Sequence, residues 1–442
     1  MSIKTAVLGP LDLVQKTIEE GKAQANLQLI NYGYTNDNEI INLIKEASIN
    51  SELILFTGPI PYYAARKVLD INLPMIYVSY SGTAFYKVLF SFFETKEWIK
   101  ENNINFSIDT IQKDEIEEVM GELNIQEYKV NALEYEDYIA ADKIVDFHYK
   151  LYKEKKICFS VTCVTSAYDR LKALGVPVYR IVPTLNSIRE ALKLASLQAE
   201  SINSKKAQLC VGALKIPNWS SIGNYSPSEY AQQRMRLTLS EIFIDFCENI
   251  KASMKFVNED EYVFYATRGS IENITENYKY IPIIDEINKK LPFTVCIGLG
   301  YGYNGSNAEK NSQEALKYAL SYNKNSCYVV MEDGKVVGPL EEGKNLQFYA
   351  KSQDEELLKI AEKSGVSIIT LNKIAALMNN LNKDTITANE IAENLNITLR
   401  SARRILSALV EAGLAESVGE EQPSGRGRPR QIFKINYKKN SL

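Results

Sequence analysis

The chain has 442 residues, 45% hydrophobic and 24% charged, with a formal net charge of −4. That length suggests roughly three domains, and no apolar run approaches the ~20 residues that a membrane span needs. The N-terminus, MSIKTAVLGPLDLVQ, lacks a signal-peptide pattern. The six cysteines are scattered without a CxxC pair, as in a cytoplasmic protein with reduced thiols. The single histidine, His148, lies in DFHYKLY, which reads as a helix surface. With one histidine, Ser-His-Asp chemistry and His-based zinc sites are set aside, and no metal is expected.

The first two hundred residues alternate apolar runs with helical patterns, the signature of a parallel sheet. TAVLG, LQLINYG, ELILFTG and MIYVSY read as strands, followed by a second set, INFSIDTI, KICFSVTC and VYRIVP. This predicts a ligand-sensing domain over 1–190 made of two parallel α/β lobes, roughly 1–92 and 93–190, that close around a small molecule. Ligands of open α/β sheets sit at the carboxyl ends of the strands. Those ends supply Gly9, Pro10, Thr57, Gly58, Ser79, Ser81, Gly82, Thr165, Ser166 and Thr184 as candidate ligand contacts. Turn chemistry alone would place such residues after strands, but their recurrence at one edge points to a polar pocket. No acid–base cluster accompanies them beyond Asp12, so a receptor fits better than an active site.

The stretch VTCVTSAYDRLKALGVPVYRIVPTLNSIREALKLA gives a strand, a helix, LGVPV and a helix starting at Ser187. In this order the region 1–195 resembles the N-terminal sensor domain of the propionate-catabolism-activator family of regulators. The resemblance implies a two-lobed small-molecule receptor. The ATPase module typical of many such regulators is absent, since no G-x-x-x-x-G-K-[ST] phosphate loop occurs. Within a connecting helix at 186–204, Ile188, Leu192, Ala195, Ala199 and Ile202 form an apolar stripe. It suits pairing in a dimer or ordinary core packing equally.

The segment 205–345 reads as strand, long helix, hairpin, helix, strand, helix, strand. That order resembles the ferredoxin-like, nucleotide-cyclase-like fold of GGDEF domains and, more closely, the archaeal third-type GTP cyclohydrolases. Ile216-Pro217-Asn218-Trp219 looks like the latter family's YGPW, NEDEY at Asn258 to Tyr262 occupies the hairpin, and FTVCIGLGYG precedes an Ala/Leu helix. Such enzymes hold Mg²⁺ through an acid on the first strand and another in the hairpin. Asp260 or Glu261 can serve as the second. The first is missing: the aligned position is about Leu214, and no Asp or Glu occurs from Ser201 through Ser228. The expectation is a catalytically degenerate domain without a required cofactor. It binds a nucleotide effector or merely dimerises and relays, with Trp219, Asp260 and Glu261 as candidate nucleotide contacts. Core packing is the plainer reading of Trp219.

The last part, 350–442, predicts a winged-helix DNA-binding domain. Thr387 or Thr385 caps a helix ANEIAENL that Asn396 breaks. Thr398 caps a second helix whose apolar stripe is Ala402, Ile405, Leu406 and Leu409, and Gly413 ends it. Arg400, Arg403 and Arg404 fall on or beside the opposite face, where a recognition helix needs cations and donors. LAESV and RQIFKINY read as strands flanking a loop with Arg426, Arg428 and Arg430, suited to a narrow minor groove. With Thr398 and Ser401 these arginines are the candidate contacts to double-stranded DNA. From Leu395 to Leu442 nine Lys/Arg face four acids, so residues 1–394 carry −9. A basic end on an acidic body is the footprint of a tethered DNA reader.

Three functions compete at this point. The first is a dimeric, ligand-responsive transcription factor, in which lobe closure changes dimer geometry through the 186–204 helix. The second is a nucleotide-binding or GTP-converting enzyme with a regulatory DNA-binding tail. The third is a receptor whose winged helix docks a protein.

Overall fold

The computed structural model describes residues 2–68, 73–80, 82–95, 104–109, 111–133, 139–217, 219, 228–322, 324–350, 355–421 and 429–436. It divides into two compact units, Met1–Ser204 and Lys205–Leu442.

In the first unit the chain runs β1 (Ile3–Pro10), α1 (Leu11–Gly21), β2 (Leu27–Tyr34), α2 (Ile40–Asn50), β3 (Leu53–Phe56), α3 (Pro59–Val68), β4 (Met75–Tyr77) and α4 (Gly82–Glu94). A second set follows: β5 (Ile104–Ile108), α5 (Lys113–Glu122), β6 (Tyr128–Ala132), α6 (Ala141–Lys153), β7 (Phe159–Thr162), α7 (Thr165–Ala173), β8 (Val178–Arg180) and α8 (Leu185–Lys206). The sheets are β2-β1-β3-β4 and β6-β5-β7-β8, all parallel and of identical order. β1 is apolar almost throughout, with Ala6, Val7 and Leu8 fully buried, because helices cover both faces of a parallel sheet.

Two helices cross between the lobes, which moves the expected boundary at 92. α4 follows the last strand of the first sheet, yet its Phe85, Val88, Leu89 and Phe92 pack with Phe106 and Phe159 of the second. α8 follows the second sheet, yet Ile188, Ala191, Leu192, Ala195 and Ala199 pack on Ile3, Leu27, Leu53 and Leu55 of the first, with Ile202 beside them. Of the two readings of this stripe, dimer pairing and core packing, the structure shows core packing within the first unit. Burial of each Ile or Leu stabilises by roughly 1.5–3 kcal/mol, more than a short exposed seam offers.

The second unit opens with β9 (Leu209–Lys215), α9 (Glu229–Asn249), β10 (Ser253–Phe256), β11 (Glu261–Thr267), α10 (Arg268–Ile274), α11 (Pro282–Lys290), β12 (Cys296–Tyr301), α12 (Gly305–Ser321) and β13 (Ser326–Val330). It is a ferredoxin-like βαββαβ unit with additions, and β9 is central. The sheet is extended by β14 (Lys335–Gly338) and β15 (Leu346–Tyr349) to the order β10-β11-β9-β12-β13-β14-β15. These last two strands were not foreseen, although Asp333-Gly334 is a turn pair and Gly334 takes φ +83°. Gly298, Gly300 and Gly302 let α12 lie directly on the sheet: a Cβ at Gly300 would fall 2.0 Å from the Ser312 nitrogen.

The chain ends with α13 (Glu355–Ser364), α14 (Ile368–Leu381), β16 (Thr385–Thr387), α15 (Ala388–Leu395), α16 (Leu399–Glu411), β17 (Ala415–Glu421) and β18 (Arg430–Ile435), with the antiparallel order β16-β18-β17. Thr387 and Glu390 form a capping box, Asn396 takes a left-handed conformation at φ +52°, Thr398 caps α16 and Gly413 follows it at φ +71°. One apolar cluster joins this segment to the sheet, running from Leu316, Tyr328 and Phe348 to Leu371, Ile391 and Leu406. The Lys373 ammonium lies between the Tyr318 and Phe348 rings, 5.6 and 5.3 Å from their centroids. Asn372 and Asn380 donate to the Tyr349 and Asn345 carbonyls at 2.7 and 2.6 Å, and Asn396 donates to that of Tyr322. The foreseen segments 205–345 and 350–442 thus share a core.

Candidate functional site

In each lobe the chain leaves the first strand to one side and returns to the other, so the switch points lie between β1 and β3 and between β5 and β7. A ligand crevice is expected there, and the structure closes one. Pro10, Tyr34, Asp37, Gly58, Tyr80, Cys163 and Thr165 surround a cavity of about 20 Å³, room for about one water. The glycines are needed for close approach: a Cβ at Gly9 would fall 1.8 Å from Thr57 Oγ1, and one at Gly58 2.9 Å from the Tyr80 ring.

Two polar contacts cross from lobe to lobe beside this cavity. Arg180, at the end of β8, donates twice to Asp12 in the first turn of α1, at 2.7 and 3.3 Å. Ser166, in the first turn of α7, donates to Asp37. Burial opposes the charge on Asp12, yet the hydrogen bond and charge of Arg180 outweigh it and hold the carboxyl below its ordinary value. Burial also opposes the Arg180 charge, and Asp12 outweighs it in turn. Tyr80 is wholly desolvated, which keeps its phenol protonated well beyond the ordinary range. Thr57 Oγ1, Thr165 Oγ1 and Arg180 Nε are buried without a hydrogen-bond partner, a costly state for polar atoms.

Of the expected ligand contacts, Gly9, Pro10, Thr57, Gly58, Thr165 and Ser166 gather at the closed edge. Ser79 is exposed, and Gly82 packs against Val119 in the second lobe's core. Thr184 caps α8, accepting from the Ser187 nitrogen at 3.2 Å. These three do not line the cavity, and Ser81 lies outside the described residues. Tyr80 and Cys163 fall within the strand-end stretches 79–83 and 162–166, whereas Tyr34, Asp37 and Arg180 were missed. Arg180 was legible as a cation at the carboxyl end of the strand in VYRIVP.

His148 is a correction. It is fully buried, with Nδ1 2.7 Å from Ser107 Oγ, and desolvation pushes it down to about 3. The amphipathic α6 turns this residue toward β5 rather than to solvent.

In the middle sheet Leu214 is fully buried and pairs with Tyr262 and Ile297. Lys215 Nζ stands 4.0 Å from both Asp260 and Glu261. The Trp219 indole donates to Glu259 at 3.2 Å and meets Phe293 edge-on at 6.3 Å, while Arg236 reaches Glu259 at 3.5 Å. These residues do not fit a Mg²⁺ site: the hairpin acids already face a cation and the first-strand position is apolar. Among the described residues no cluster of three His, Cys, Asp or Glu side chains could hold a metal ion.

On α16, Ala402, Leu406 and Leu409 are buried while Arg400, Arg403 and Arg404 are exposed. Thr398 accepts from the Ser401 nitrogen at 3.1 Å, and their hydroxyls stand 2.9 Å apart, so both serve the helix cap. Arg430 is exposed at the start of β18, while Arg426 and Arg428 lie outside the described residues. Among the described residues no helix is long and apolar enough to cross a membrane, and none of the six cysteines forms a disulfide.

No family model matches the chain, and no curated protein matches it. Solved structures similar to it include an NtrC family transcriptional regulator from Clostridium acetobutylicum, at 14% identity and TM-score 0.36, covering 46% of this chain and 99% of that one. An EAL/GGDEF domain protein from M. capsulatus is similar over 27% of this chain and 81% of its own, at 16% identity and TM-score 0.22. The guanylyl cyclase Cya2 is similar over 51% and 90%, at 9% identity and TM-score 0.21. At these TM-scores, function has to be read from the residues of this chain.

Proposed function

We propose that this chain is a ligand-responsive, DNA-binding transcriptional regulator. Its two-lobed first unit senses a small molecule, its middle domain relays without turnover, and its C-terminal segment is a winged helix-turn-helix that binds double-stranded DNA as a homodimer in the cytoplasm. The observation that carries this reading is the sidedness of α16: three arginines on solvent, the apolar stripe in the core, and a β-hairpin beside it with Arg430 at its loop end. A helix of that kind suits the major groove, with the wing on the adjacent backbone or minor groove. Two copies would place their α16 helices about one DNA turn, ~34 Å, apart on a palindrome.

Lys215 between Asp260 and Glu261 supports a non-catalytic middle domain. The shared core and the asparagine contacts support its role as a rigid mount for the DNA-binding segment. The ligand signal reaches this mount along α8, which ends at Lys206 just before β9 begins at Leu209. Its packing on the first lobe couples this helix to lobe movement.

The test is a gel-shift titration of Arg403→Ala and Arg404→Ala against operator fragments selected from genomic DNA, with circular dichroism as the folding control. Each variant should bind roughly tenfold or more weakly with its fold intact. A shallower salt dependence should accompany the loss. Retention of full affinity by both would sink the assignment.

A further inference from the structure

The interlobe site points to a chemical class of ligand, an inference that rests on the first unit being a receptor. Around the cavity one guanidinium and two carboxylates stand on opposite lobes: Arg180 faces Asp12, and Ser166 holds Asp37. A purely anionic ligand would take Arg180 but leave Asp12 and Asp37 facing negative charge. A purely cationic one would satisfy the acids and strand Arg180. A ligand bearing both charges replaces each partner of the cross-lobe pair at once.

Two of the three unpartnered groups at this edge lie on the guanidinium's lobe, and the third, Thr57 Oγ1, lies on the other. Thr165 Oγ1 lines the cavity in the first turn of α7, and Arg180 Nε is equally without a partner. Both can donate to a carboxylate, and the N-terminal end of α7 favours negative charge there. We infer that the cleft binds a zwitterionic small molecule of the amino-acid type, its carboxylate on Arg180 and Thr165 and its ammonium on Asp12 and Asp37. With room for about one water in the closed form, entry requires the Arg180–Asp12 and Ser166–Asp37 contacts to part. The ligand then bridges the lobes in their place.

The probes are the twenty amino acids, succinate, citrate and putrescine, tested one at a time against the full chain by thermal shift and then calorimetry. At least one amino acid should bind. Its amide, which lacks the carboxylate, and its deaminated analogue, which lacks the ammonium, should each bind roughly ten- to a hundredfold more weakly to the unaltered protein. Arg180→Gln and Asp12→Asn should each reproduce one of those losses. The ligand analogues keep the test decisive should either variant fail to fold. Binding of succinate, citrate or putrescine with no response to any amino acid overturns the inference, as does silence from all twenty at millimolar concentration. Loss of DNA binding with amino-acid binding intact would instead count against the regulatory reading alone.

Discussion

The interlobe cleft and the hairpin of the middle domain both bring acids and cations together, with opposite consequences. At the hairpin, Lys215 and Glu261 sit on neighbouring strands of one sheet with Asp260 in the adjoining turn, and Trp219 and Arg236 hold Glu259. Charges satisfied within one layer leave nothing for a ligand to complete. In the cleft, Arg180 and Asp12 are 168 residues apart on separate lobes, with unpartnered hydroxyls and a guanidinium nitrogen nearby. A pair that spans two bodies can be exchanged for a ligand. Location across or within a layer, rather than charge, separates a pair that a ligand can replace from one that only braces the sheet.

Three perturbations test that contrast, the strongest first. Gly300→Val places a side chain into the α12 backbone, 2.0 Å from the Ser312 nitrogen at its first carbon. The backbone cannot yield cheaply, so the variant should lose about 3 kcal/mol or more, measured by urea unfolding or seen as loss of soluble protein. Native-like stability would show that the middle sheet is no rigid mount.

Asp12→Asn should open the lobes with little loss of fold, because Asp12 is largely solvent-exposed and such pairs contribute roughly 0–1 kcal/mol. Small-angle scattering should show a larger radius of gyration than for the parent. Acid gives a second handle. The Asp12 carboxyl is held below its unfolded value, so the pair's contribution is present above the ordinary carboxylate range and fades as pH falls through the lowered value. Scattering that stays unchanged in the variant and on acidification would mean that the pair does not hold the lobes together.

Lys215→Ala should have the smallest effect, within about 1 kcal/mol for a partly exposed pair at 4.0 Å. Freed from the ammonium, the hairpin acids should still not retain Mg²⁺ by calorimetry, because Leu214 supplies no ligand. Tight Mg²⁺ binding by this variant would reopen the enzymatic reading.

Much of the C-terminal segment was legible because its signals are local. Thr387, Asn396, Thr398 and Gly413 act within one helical turn of themselves, and the structure shows each as the cap or stop expected. β16 escaped notice: three residues, TIT, carry no periodicity, and only pairing with β18 makes them a strand. Half of the cleft was legible from the rule that ligands meet strand ends. Asp37 was not, since nothing in its neighbourhood says which way a loop turns.

By itself the sequence determined the alternation of strands and helices, the helix boundaries, the basic character of α16 and the missing acid at Leu214. These follow from backbone and side-chain preferences over a few residues. Only the tertiary structure decided that the α8 stripe covers the first lobe, that His148 is interior and that Lys215 meets the hairpin acids. It alone placed Arg180 against Asp12. Each of those depends on which layers stack, and stacking joins residues far apart in the chain through apolar burial that has no direction of its own.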